Sequence, residues 1–206
     1  MNSITNIDNF YFIGIGGIGM SALARYFNLE GKKVFGYDKT PSEITSTLIE
    51  EGIAIQFKDE VSLIPEPIQK NKKTLVVCTP AISKNNNILS WLNAKEYWVV
   101  KRSELLGEIS KNSICLAVAG THGKTTTSAI LGHLLASCNM PVTAFLGGVT
   151  ENYNSNLIYK GSEIMVVEAD EFDRSFLHLS PTIACITSMD ADHLDIYGSI
   201  SELENT

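Results

Sequence analysis

Lys124, Thr125 and Thr126 stand directly behind two glycines, Gly120 and Gly123, at the head of an apolar periodic segment. An uninterrupted apolar run, Ile114 to Ala119, precedes them. That order is strand, tight loop, helix. Such a loop turns successive backbone N–H groups into one concavity at the positive end of a helix, a setting that suits a polyphosphate. Gly120, Thr121, His122, Gly123, Lys124, Thr125 and Thr126 are therefore the candidate cradle. Lys124 reaches the outer phosphates, and the Thr125 hydroxyl ligates the accompanying magnesium. The usual pattern has a further glycine five positions before Gly123, where this chain has Val118.

Carboxylates lie where such a loop needs them. The apolar run Ile164 to Val167 ends in Glu168, and Asp170, Glu171 and Asp173 follow. A hard cation bridging phosphates takes oxygen ligands, and the end of a strand beside a phosphate loop is where they are held. Glu168 is the first candidate; the other three read equally well as a solvated acidic turn. Further on, His193 sits among Asp190, Asp192 and Asp195. The cluster suits a divalent ion, or a helix N-terminus dressed with acidic residues. His178, in Phe-Leu-His-Leu, reads as a packed structural histidine.

A second glycine loop lies near the start. Phe10 to Ile13 is a short apolar strand, and Gly14, Ile15, Gly16, Gly17, Ile18, Gly19 and Met20 follow in a G-x-G-x-x-G pattern. Asp38 closes the next apolar segment, 19 residues beyond Gly19. In a Rossmann unit an acidic residue there accepts hydrogen bonds from a ribose. The alternative is that the glycines serve helix-to-strand packing and Asp38 a turn. The strand Thr74 to Thr79 brings Thr79, Pro80 and Ala81 to the same sheet edge, where open α/β sheets gather ligands. Lys101 and Arg102 end a later strand, as solvated charge or as cations facing a diphosphate.

The positioning elements follow from periodicity. Helices are expected after Gly19 up to Gly31, from a Thr40-Pro-Ser-Glu43 capping box to about Glu51, over Ile88 to Ala94, and from Ser103 to about Ile109. Strands fall at Val34 to Tyr37, Ile53 to Phe57 and Tyr97 to Val100, and Pro65 to Lys73 reads as a polar connection. After the phosphate loop a helix reaches Cys138 on an apolar stripe of Ile130, Leu131, Leu134 and Leu135. Strands then cover Val142 to Leu146 and, as a buried strand, Pro181 to Thr187. The fold class is α/β: a doubly wound Rossmann-like domain over 1–110, then a P-loop-type α/β domain over 111–206.

Composition bounds the partners. The 206 residues are 44% hydrophobic and carry a net charge of −7. That balance argues against a nucleic-acid or anionic-membrane surface, since phosphate-tracking proteins present a basic face. Cys78, Cys115, Cys138 and Cys185 are widely spaced with no C-x-x-C pair, as in reduced core residues of a cytoplasmic protein. No signal pattern and no membrane-length apolar run is seen.

Taken together, GIGGIGMSALA from Gly14, AVAGTHGKTTT from Ala117, VVEADEFDRSFLHLSP from Val166 and DADHLDIYG from Asp190 resemble the Mur ligase family, from about Phe10 onward and in the same order. The resemblance implies cytoplasmic synthesis of a cell-wall peptidoglycan precursor: ATP-dependent ligation of L-alanine to the carboxylate of UDP-N-acetylmuramate through an acyl phosphate. It also implies that the first glycine loop, with Asp38, Thr79, Pro80, Ala81 and Arg102, receives the UDP-sugar rather than a nicotinamide. Lys124 corresponds to the phosphate-binding lysine, Thr125 and Glu168 to ligands of Mg2+ (or Mn2+) shared with ATP, and His193 to the ligand of a second metal, with His122 a substrate contact. Relative to the family pattern the chain stops inside the central domain, so a fragment that does not complete catalysis alone is expected. Alternatives are a ligase that recycles a preformed peptide onto the same UDP-sugar, a nicotinamide-dependent oxidoreductase suggested by Gly14 to Gly19 with Asp38, and a UDP-sugar-binding module without activity.

Overall fold

A computed structural model describes residues 4–71, 73–83, 85–170 and 172–190, the side chains of 172–174 excepted. The chain divides into two compact units, Met1–Leu105 and Leu106–Thr206.

In the first unit β1 (Asn9–Ile13), β2 (Lys33–Tyr37), β3 (Ala54–Gln56), β4 (Thr74–Cys78) and β5 (Trp98–Lys101) form a sheet in the order β3-β2-β1-β4-β5, parallel at every pairing. A parallel sheet is covered on both faces, so its central strands are apolar throughout. In β1 Phe10 stacks on Phe27 of α1 (Ile18–Leu29), with ring centroids 3.8 Å apart. Tyr11 and Ile13 join the opposite core with Ile68, Ile88, Leu92 and Tyr97. Strand order reverses between β1 and β4, which opens a crevice beyond their carboxyl ends.

Two expectations for this unit are corrected. Ser42, not Thr40, caps α2 (Glu43–Glu50): its hydroxyl accepts from Thr45 N, and the Thr45 hydroxyl accepts from Ser42 N. Thr40 is held outside the helix because its amide donates to Asp38 Oδ1 at 3.1 Å. The connection after Pro65 contains a short helix, α3 (Glu66–Lys70), whose Ile68 is fully buried and whose carbonyl accepts from Tyr97 OH. That tertiary contact stabilises five residues too few to signal a helix by periodicity. α4 (Asn87–Ala94) follows β4, and α5 (Arg102–Ser110) follows β5 and carries the chain across the boundary at Leu105.

In the second unit β6 (Ile114–Ala119), β7 (Val142–Thr150), β8 (Ser155–Tyr159), β9 (Ile164–Glu168) and β10 (Ile183–Ile186) are ordered β10-β6-β9-β7-β8, with β8 antiparallel. The strand expected to end at Leu146 runs on to Thr150 and pairs as a hairpin with β8. α6 (Lys124–Ser137) packs on this sheet through only half of the expected stripe: Leu131 and Leu135 are partly buried against the core, while Ile130 and Leu134 are exposed. Its buried line is Ser128, Gly132 and Ala136. A Cβ on Gly132 would lie 2.7 Å from Ala144 Cβ, so the helix sits too close to the sheet for large side chains on that line. β10 is likewise exposed rather than buried, pairing among the described residues with β6 alone. His178 ends a 3-10 helix and is exposed, not packed. Of the four free cysteines Cys115 is buried and Cys78 half-buried, while Cys138 and Cys185 are exposed, which corrects the expectation of four core thiols.

Candidate functional site

Each unit carries one glycine loop at the carboxyl edge of its sheet. In the first, β1 runs straight into Gly14, whose φ of +85° excludes an ordinary side chain. Its neighbour Thr79, at the end of β4, lies 2.6 Å from where a Cβ would be. Asp38 leaves β2 and its Oδ2 accepts from Gly16 N at 2.8 Å, while Oδ1 takes the Thr40 amide. The carboxylate therefore fixes the loop; each oxygen keeps acceptor capacity for a further donor. Gly14, Gly17, Asp38, Thr79 and Ala81 line one cleft of about 690 Å³.

The other expected residues of this loop divide by role. Ile15 and Met20 are buried, Ile15 packing against Gly36 in the space a Cβ there would fill. They hold the loop to the core and offer only main chain to a ligand. Gly16, Ile18, Gly19 and Pro80 do not line the cleft. Arg102 lies at the start of α5 with Nη1 2.6 Å from a Cβ position on Gly19, so the missing side chain makes room for the guanidinium over the first turn of α1. Sequence reasoning missed Lys39, Asp59, Ser83, Asn85 and Asn86, all of which line the cleft. The run from Ser83 to Asn87 follows the already recognised Thr79-Pro80-Ala81 and was findable at the same sheet edge. Asp59 carries no local signal; its carboxylate accepts from the amides of Asn87 and Ile88 and caps α4 across 28 residues. Tyr37 faces this cleft, its hydroxyl pKa raised by burial, then by Asp59 and Asp38.

In the second unit β6 delivers Gly120 (φ +122°) and Gly123 (φ +82°) into the N-terminus of α6. The first-turn amides of that helix have no intrahelical acceptors. The loop is not buried: His122, Gly123 and Thr126 are exposed and the rest half-buried. Lys124 Nζ donates to Gly120 O at 2.7 Å, folding the ammonium back over the loop. Because β6 and β9 pair with Val118 opposite Glu168, the carboxylate arrives beside α6. Thr125 Oγ1 donates to Glu168 Oε2 at 3.0 Å, and Gly147 N donates to Glu168 Oε1. The Thr125 hydroxyl and the Glu168 carboxylate thus meet at the mouth of the Gly120–Gly123 loop, oxygen donors of a kind that fits a hard divalent cation.

Thr121 and His122, expected in the cradle, point their amides elsewhere: Thr121 N donates to Ser188 O and His122 N to Ser188 Oγ, each at 3.1 Å. His122 Nε2 stands 3.8 Å from Asp190 Oδ2. His193 and Glu171 lie outside the described residues, as does the Asp173 side chain. Among the described residues no group of three or more His, Cys, Asp or Glu is gathered for a metal. No helix among them is long and apolar enough to cross a membrane.

The model "Mur ligase family, catalytic domain" matches residues 9–113 and "Mur ligase middle domain" residues 118–206. A UDP-N-acetylmuramate--L-alanine ligase of Flavobacterium psychrophilum is 63% identical over 95% of this chain and 44% of its own length. The crystal structure of a UDP-N-acetylmuramate-alanine ligase from Thermotoga maritima superposes with a TM-score of 0.85 at 31% identity, over 96% of this chain and 45% of that one. A UDP-N-acetylmuramate:L-alanyl-gamma-D-glutamyl-meso-diaminopimelate ligase from Neisseria meningitides, at 24% identity and a TM-score of 0.82 over 97% of this chain and 66% of that one, shares the fold. The chain spans about half the length of the curated relatives it matches. One glycine loop on a parallel sheet and another on a mixed sheet, matched by consecutive domain models of one family over residues 9–113 and 118–206, make this chain a member of the Mur ligases.

Proposed function

We propose that this chain supplies the UDP-sugar and ATP sites of an enzyme that ligates L-alanine to the carboxylate of UDP-N-acetylmuramate at the expense of ATP. The observation that carries the reading is the meeting of Thr125 and Glu168 at 3.0 Å beside Lys124, in a chain 63% identical to a ligase of that name. Gly14, Gly17, Asp38, Thr79 and Ala81, which line the first cleft, hold the UDP-sugar, with Arg102 beside the first turn of α1 as the cation for its diphosphate. The main-chain amides at the start of α6 and Lys124 hold the triphosphate.

Two anions must approach each other in this reaction, and a carboxylate is a poor electrophile. The protein's work is charge neutralisation and alignment. Lys124 exchanges its internal acceptor, Gly120 O, for a phosphate oxygen. Thr125 and Glu168 would hold Mg2+ or Mn2+, with His193 proposed as ligand of a second ion. A cation held there would supply charge to offset the phosphates during transfer to the substrate carboxylate. The acyl phosphate that results is open to the amine of L-alanine, so no serine or cysteine nucleophile is required. Nothing in this scheme involves a nicotinamide.

The test is phosphate release by a chain of the relatives' full length, with ATP, UDP-N-acetylmuramate and either L-alanine or a preformed tripeptide. Release that depends on L-alanine is expected. Release with tripeptide alone assigns the recycling reaction instead, and hydride transfer to a nicotinamide would overturn both.

A further inference from the structure

The phosphate loop is held from its far side by residues that no phosphate-loop motif includes. Where β10 ends, Thr187 N donates to Ala119 O at 3.0 Å, and the single proton of the Thr187 hydroxyl is within reach of two carbonyls, Ala119 O at 3.1 Å and His122 O. Ser188 accepts both Thr121 N, on its carbonyl, and His122 N, on its hydroxyl. Thr121 Oγ1 in turn accepts from Asp190 N at 2.9 Å and lies 3.2 Å from Asp190 O. The fit leaves no room at Gly120, where a Cβ would stand 2.3 Å from Thr187 Oγ1 and 2.8 Å from Ser188 N and O. Gly120 is thus required twice, by its φ of +122° and by the segment packed on it.

The consequence concerns which amides remain for an anion. Thr121 and His122 already have acceptors, so the cradle narrows to the start of α6, from Gly123 to Thr126. A loop left to itself would sample many shapes, and ordering it on nucleotide arrival would weaken binding. Here that ordering is done beforehand. We propose that Thr187 and Ser188 are positioning residues of the phosphate loop: they fix its Gly120–His122 limb from the exit of β10, so that Lys124 and the first turn of α6 face the triphosphate before it binds. The inference rests on the assignment of this loop to ATP, and it also ties the loop to Asp190.

Residue-resolved amide exchange in the nucleotide-free protein tests it. Thr121 and His122 are expected to be protected. In Ser188→Ala the His122 amide loses about 10-fold in protection, the scale of one hydrogen bond. Thr121, bonded to a main-chain carbonyl, keeps its own. Thr187→Val preserves shape and removes the hydroxyl; it should weaken Mg·ATP binding by about 10-fold. Thr187→Ser should restore it, with UDP-N-acetylmuramate affinity and the thermal midpoint unchanged. Free exchange at Thr121 and His122 in the unsubstituted protein overturns the proposal, as does a Thr187→Val protein that binds nucleotide normally. Exchange is read without nucleotide, so a protein that fails to bind Mg·ATP while showing the expected protection removes the ATP assignment and leaves the clamp standing.

Discussion

Lys124 donates to Gly120 O at 2.7 Å, so its charge is spent inside the loop until an anion competes for it. Lys124→Ala in a chain of the relatives' full length should lower the ligation rate by roughly 100-fold or more, as loss of one transition-state charge contact does. Steady-state rates at saturating substrates check this. Glu168 is held by Thr125 on one oxygen and by Gly147 N on the other, and a Cβ on Gly147 would lie 2.7 Å from Oε2. Gly147→Ala should displace the carboxylate and weaken the apparent affinity for the divalent ion by about 10-fold or more, as changes behind a metal ligand do. A magnesium titration of the rate reads it directly. Residue types exposed Lys124, Thr125 and Glu168 to sequence reasoning because each has one chemical task. Gly147 and Ser188 act through main-chain and hydroxyl contacts with residues distant in sequence, which no local pattern records.

Among the elements, α6 shows most plainly what periodicity misses. Of its stripe of Ile130, Leu131, Leu134 and Leu135 only Leu131 and Leu135 pack on the core, because the helix centres Ser128, Gly132 and Ala136 on the sheet. Close approach at Gly132 decides the rotation, since packing small residues there brings the whole helix nearer to β7. Gly132→Val should therefore destabilise the protein by about 1–3 kcal/mol, the range for overpacking a filled core, even though valine adds apolar surface. A lowered denaturant midpoint would show it. The parallel strands were legible from their apolar runs, with β6 and β9 falling where the residues place them. β8 was not, because its register depends on a hairpin with an irregularity between Phe145 and Thr150. At α2 the helix was legible but its cap was not: Thr40 and Ser42 are both good caps, and Asp38 chooses between them by taking the Thr40 amide.

For the molecule as a whole, burial of ionisable groups sets how stability responds to pH. Burial raises the Cys115 thiol from its ordinary 9.0 to about 11 and also raises the hydroxyls of Tyr11 and Tyr97. In each case the unfolded chain sheds its proton first, so the folded state loses stability as pH rises through that interval. For Cys115 the interval is about pH 9 to about 11, and Cys115→Ala should flatten the fall of the thermal midpoint across it. The wider account is that two anion cradles sit on two different units and take different cargoes. The direct test is calorimetric titration of this protein with UDP-N-acetylmuramate and with Mg·ATP, on the unsubstituted chain, Asp38→Ala and Lys124→Ala. The account predicts one-to-one binding of each ligand, with Asp38→Ala weakening UDP-N-acetylmuramate by about 10-fold and Lys124→Ala weakening Mg·ATP alone, the scale of one hydrogen bond to a charged group. Absence of UDP-N-acetylmuramate binding, or loss of both ligands from either substitution, would contradict it.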